Sequence, residues 1–262
     1  MTATALGTLL PHGTEDLQVR LWERFAAMAI ESIQQAGVLL ASKGLGFDHT
    51  LSDGYWSEKP REVYKTKVRV PLENGITDPL VRALEVVRQS APEDHLISRL
   101  QVCFVQQQPR ATQKRVGSKA YTTDIQIRSL KVEKLDLRVE AKMLFAGKDV
   151  SAYCGPDGLL RFADAEPYTD QPVGMMLGYS ARRDDAHWLK LIEGKSKPSD
   201  AVIGFHQVGL ASGPVSASVL RSHATQNVVV LHMLLPFESD PSARQLDATA
   251  SAAKKKPHKM IA

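Results

Sequence analysis

Residues 122–143 read Thr-Thr-Asp-Ile-Gln-Ile-Arg-Ser-Leu-Lys-Val-Glu-Lys-Leu-Asp-Leu-Arg-Val-Glu-Ala-Lys-Met. Ile125 and Ile127 alternate with Asp124, Gln126 and Arg128, and then Leu135, Leu137, Val139, Ala141 and Met143 alternate with Asp136, Arg138, Glu140 and Lys142. A period of two over both runs predicts a pair of half-buried strands, and the polar stretch between them reads as a turn. A turn centred near Val132 sets Asp124 opposite Glu140 and Thr122 opposite Lys142. Directly opposed residues project to the same face of a sheet with Cβ atoms roughly 5 Å apart. Two carboxylates and a lysine therefore converge on one polar face. A slip of a single residue would disperse them.

Asp124, a hairpin, and then Glu140-Ala141-Lys142 resemble the PD-(D/E)xK nuclease superfamily. The sequel strengthens the likeness. Glu140-Ala-Lys-Met-Leu144 is followed by Gly158-Leu-Leu-Arg-Phe162 and by Pro172-Val-Gly-Met-Met-Leu-Gly-Tyr179, an order similar to a restriction-endonuclease-like branch of that superfamily. The resemblance covers about residues 120–235, and Thr123 stands where the motif's name has proline. It implies an α/β fold with a restriction-endonuclease-like core, a central mixed β-sheet flanked by helices, and metal-dependent hydrolysis of DNA phosphodiester bonds. Asp124 and Glu140 would hold Mg²⁺ or Mn²⁺, because hard cations prefer carboxylate oxygens and keep several waters. Lys142 would position or deprotonate the attacking water or meet the phosphate. A setting in defence against foreign DNA fits this reading, as does a homodimer or a partner subunit of a larger system. Solvated faces also carry Asp and Glu-x-Lys on alternating strands. A nuclease-like subunit that binds nucleic acid or a partner protein without cutting is the alternative from another class. Three intact acidic and basic positions weigh against it, since a cluster of like charges is costly to keep without a use.

Composition sets wider bounds. At 43% hydrophobic and 24% charged, 262 residues can bury a sizeable core as one large domain. No apolar run approaches the roughly 20 residues that span a bilayer. The start lacks a basic region before its weak apolar run, and Cys103 and Cys154 lie in unlike contexts. A secretory signal, a disulfide framework and a zinc site are thus unexpected, and a cytoplasmic protein is the default expectation. The formal charge of +4 is mostly owed to the end of the chain, where Lys254, Lys255, Lys256 and Lys259 occur in a low-complexity stretch. Residues 1–238 are read as one nuclease-like domain, with a helical part over about 14–100 and the motif core over about 120–235. Residues 239–262 are read as a disordered basic tail.

Thr14, Glu15 and Asp16 predict a helix opening, and Leu21, Trp22, Phe25, Met28, Ala29 and Ile33 carry the helical spacing on to a stop or break at Gly37. Glu31 lies near the apolar stripe. It reads either as an exposed residue or as an acid aimed at the metal, as related nucleases often carry on their first helix. Residues 63–70 alternate as one strand with Lys65, Lys67 and Arg69 on its charged face, and Asp78 to Gln89 reads as a helix. Residues 106–119 read as a basic flexible loop in which Arg110, Lys114, Arg115 and Lys119 would neutralise a nucleic acid backbone. Gly155-Pro156-Asp157 predicts a short helix, and its Arg161 would contact substrate or pair with Asp157 or Glu166. Gly174–Tyr179 reads as a central strand, followed by a helix from Asp184 and Asp185 and strands at 202–208, 215–220 and 228–235. His206, His223 and His232 read as structural. The chain lacks a nucleotide-binding glycine fingerprint and a Gly-x-Ser-x-Gly elbow.

Overall fold

The computed structural model describes residues 3–46, 48–63, 66–110, 121–180, 185–197, 199–222 and 226–237. Its framework is an eight-stranded mixed sheet with helices packed on both faces. In chain order the elements begin with β1 (Thr4–Ala5), α1 (Leu6–Leu9) and α2 (Asp16–Ala41), then a small hairpin of β2 (Arg61–Val63) and β3 (Thr66–Val68). There follow α3 (Glu73–Ser90), α4 (Leu96–Arg99), β4 (Val102–Arg110), β5 (Tyr121–Ser129) and β6 (Asp136–Leu144). The last third holds α5 (Asp149–Cys154), a 3₁₀ turn (Leu159–Ala163), β7 (Val173–Ser180), α6 (Asp185–Ser196), β8 (Val202–Leu210), β9 (Gly213–Leu220) and β10 (Val228–Pro236).

Strand order across the sheet is β1-β8-β9-β10-β7-β6-β5-β4. The centre, β10-β7-β6, is parallel; β5 and β4 on one side and β9 and β8 on the other continue it in antiparallel pairs, and β1 joins the outer edge of β8 in parallel. All eight residues of β7 are buried, as a strand covered on both faces requires. One face packs against α2 and α3 through Ile125, Ile127, Val139, Ala141, Met175, Leu177 and their neighbours. The other packs against α5, the 3₁₀ turn and α6 through Leu144, Tyr153, Phe162, Met176, Trp188 and Val230. Glu140 and Lys142 alternate with the first set, so they belong to the second face. Among the described residues, no helix is long and apolar enough to cross a membrane.

Several local expectations change. Gly37 does not end α2, which continues to Ala41, because the absent side chain leaves room for Leu235: a Cβ there would lie 3.1 Å from its Cδ2. Residues 63–70 do not form one strand. Val63 ends β2 and Thr66–Val68 form β3, and Val63 and Val68 pack with Val70 on Phe145, just past β6; Lys65 lies outside the described residues. The segment predicted to be a flexible loop from Gln106 continues instead as strand up to Arg110, paired with β5. The helix predicted from Asp78 begins at Glu73, with Pro79 inside it. The helix predicted from Gly155 is a 3₁₀ turn, and a separate helix, α5, precedes it. The basic tail at 239–262 lies outside the described residues.

Candidate active site

The β5–β6 ladder runs from Arg128 paired with Asp136 to Ile125 paired with Val139. The next positions in that register are Asp124 and Glu140. Here the side chain of Asp124 takes over from backbone pairing: its Oδ2 accepts the Ala141 N–H at 2.7 Å. The carboxylate is thereby fixed at the fork where β5 leaves β6, while β6 continues against β7 with Glu140 beside Met176 and Lys142 beside Gly178. Gly178 is required by this crowding, since a Cβ would lie 2.5 Å from side-chain carbons of both Leu144 and Leu234.

Lys142 Nζ donates to Glu140 Oε1 at 2.6 Å and lies 3.7 Å from Glu73 Oε1. Glu140 is only 5% exposed, and its Oε2 is buried with no hydrogen-bond partner. The Tyr168 hydroxyl donates to the Asp157 carbonyl at 3.4 Å and, as a hydrogen-bonding neighbour of Glu140, favours its ionised form. Burial, and next the neighbouring charge of Asp124, push Glu140 up to about 8 against the opposing pull of Lys142. Burial also raises Asp124, against the Ala141 amide and Lys142. Glu73 is raised by burial too, opposed by Lys142 and reinforced by Asp124. For Lys142, burial would lower the ammonium, but Glu140 and Glu73 outweigh it and hold the charge on. One cation thus stands among three carboxyl groups, each made harder to ionise by loss of water.

Glu73 escapes a reading that starts its helix at Asp78. The available signal is its place directly after Pro71-Leu72, as an acid in a helical first turn. Glu31, the acid expected from α2, is exposed and hydrogen-bonded by Gln35, and it borders a concavity between α2 and the end of α3. Arg161 lies in the 3₁₀ turn, with its guanidinium 2.8 Å from both Asp157 and Asp164. Asp157 was one expected partner; Asp164 is an addition. The backbone of Arg110 ends β4 opposite Tyr121, but its side chain, like all of Lys114, Arg115 and Lys119, lies outside the described residues. His223 also lies outside them. His232 is buried between the Tyr153 hydroxyl, 3.0 Å from Nδ1, and the Ser218 hydroxyl, 2.8 Å from Nε2, and burial depresses it to about 3. It is a neutral structural crosslink.

Among the described residues, no three or more His, Cys, Asp and Glu side chains are grouped to hold a metal ion. A divalent cation would thus have the two carboxylates of Asp124 and Glu140 as its protein donors. Two all-oxygen donors, Asp124 and Glu140, suit Mg²⁺ with most of its waters retained, and the orphaned Glu140 Oε2 supplies an unused buried acceptor. Glu73 meets the same Lys142 ammonium, 3.7 Å from its Oε1. No family model matches the chain, and neither the curated proteins nor the solved structures give a match.

Proposed function

We propose that the chain is a metal-dependent nuclease of the PD-(D/E)xK type acting on DNA, with Asp124, Glu140 and Lys142 as its working residues. The observation that supports this reading most is the β5–β6 register, whose continuation brings Asp124 to Glu140, together with the Asp124 bond to the Ala141 amide and Lys142 Nζ on Glu140. A bound Mg²⁺ or Mn²⁺ would activate a water and offset charge developing on the phosphate. The chain's own contribution is orientation and charge. Asp124 is held by the Ala141 amide, and Glu140 is presented with Oε2 unused. Lys142 keeps its positive charge in a partly buried place, where it can hold a water or a phosphate oxygen. Burial favours the protonated form of Glu140, and a bound cation would compete with that proton for the same oxygens.

Linear, supercoiled and single-stranded DNA incubated with the protein in Mg²⁺, Mn²⁺ or EDTA provides the test, beside Glu140→Ala. Cleavage that requires metal and disappears in the variant is the expected result. Lys142→Met should lower the rate about 10²–10⁴-fold, the usual scale for a lost proton-transfer or charge-stabilising group. Absence of cleavage by the wild type on every substrate and metal would overturn the reading and favour a binding subunit, for which the close Lys142–Glu140 contact is the supporting observation.

A further inference from the structure

Along α3, whose first turn carries Glu73, lies a second concavity of about 330 Å³ that the reaction as described does not use. Its wall is one face of α3, where Asn74, Asp78 and Arg82 recur at helical spacing immediately after Glu73. Opposite stand His49, Asp53 and Tyr55. His49 is 7% exposed, and its Nδ1 is buried with no hydrogen-bond partner. Its ring meets that of Tyr55 edge to face, with centroids 5.2 Å apart. Asp78 is partly engaged by the Gln106 amide of β4. The first turn of α3 is seated firmly on this wall, since a Cβ on Gly75 would lie 2.9 Å from the Tyr55 carbonyl.

The lining selects a chemistry. Two aspartates oppose a free phosphate, while an apolar ligand would leave the polar groups dry and unpaired. A flat heteroaromatic ring, neutral and carrying both donors and acceptors on its edge, answers Asp53 and Asp78 as acceptors, Arg82 as donor, and Asn74 as both. Tyr55 and Pro79 line the same space and add apolar surface. Asn74 directly follows Glu73, so the concavity and the cluster around Lys142 share the first turn of α3. We infer that this concavity is a nucleobase pocket, which takes a base of the strand next to the phosphate being cut and gives cleavage a base preference. The inference rests on the nuclease reading for the strand's path, but not for the pocket's affinity for a base.

The four deoxynucleosides carry a base and no phosphate, so they probe the pocket directly by NMR titration of the full chain. At least one should bind saturably, with affinity falling tenfold or more in Arg82→Gln, an exposed position, and in His49→Ala, checked for folding by circular dichroism. Binding of inorganic phosphate but of no nucleoside would overturn the pocket assignment, as would nucleoside binding unchanged in both variants. Sequencing of cleavage ends supplies the second readout: Asn74→Asp and Asp78→Asn should shift the base found beside the cut. Wild-type cleavage with end preferences identical in these variants would defeat the inference while leaving the nuclease reading intact. Absence of cleavage with intact nucleoside binding would defeat the nuclease reading alone.

Discussion

At Glu140 the fold works against ionisation. The native state keeps its proton up to about pH 8, whereas the unfolded chain releases it near the ordinary value of 4.5. Between those limits the folded state binds more protons, so stability falls as pH rises from about 5 to about 8 and levels off above. Asp124 and Glu73 are raised as well and act with the same sign. Thermal unfolding in EDTA across this range should show the decline, and Glu140→Gln should flatten it, raising the midpoint about 2–4 °C for each kcal/mol relieved at the alkaline end. Mg²⁺ should stabilise the wild type more at pH 8.5 than at pH 5.5, because the cation competes with protons for the same oxygens. A metal effect independent of pH would count against Glu140 as its ligand. At this scale the sequence was informative for Asp124, Glu140 and Lys142, since strand alternation and turn position alone set which side chains oppose. It was silent on the orphaned Oε2, which depends on Glu140 being covered from across the sheet.

Elements were legible where one period dominates. The buried β7 and the strands β8, β9 and β10 follow their apolar runs closely. Boundaries misled where local chemistry and tertiary packing disagree. Asp78-Pro79 resembles a helix opening, yet α3 already has a full turn before it, seated by the close approach of Gly75 to Tyr55. That early turn carries Glu73 into the site. Glu73→Gln should therefore remove an opposing charge from Lys142 and alter the metal dependence of cleavage, whereas Glu31→Gln, on exposed α2 surface, should leave cleavage unchanged. Gly37 resembles a stop but is kept helical by its contact with Leu235 on β10. Gly174 tests the opposite face. A Cβ there would lie 2.4 Å from Phe162, which holds the 3₁₀ turn on β7, so Gly174→Ala should destabilise the protein by about 1–3 kcal/mol in denaturant titrations.

For the whole molecule, the sheet is the one element common to both cores. Leu177 and Tyr179 of β7 point into the layer with α2 and α3, while Met176, between Met175 and Leu177, points into the layer with α5 and α6. The same alternation in β10 sends Leu231 to one side and Val230 to the other. Neither helical layer can come away without exposing the apolar face of the strands that it covers, while the same strands remain held by the other layer, so the two cores should unfold together. Tryptophans report each layer separately: Trp22 is buried in the first and Trp188 in the second. In a Trp56→Phe background, removing one or the other by Phe leaves a single reporter on each face. Both fluorescence midpoints should coincide with that of far-ultraviolet circular dichroism once each variant is compared with its own dichroism curve. A Trp188 signal that melts well before the dichroism would show the α5–α6 layer to be a separate unit. In that case Glu140, which projects toward that layer, would lose its cover while the rest of the sheet stayed folded.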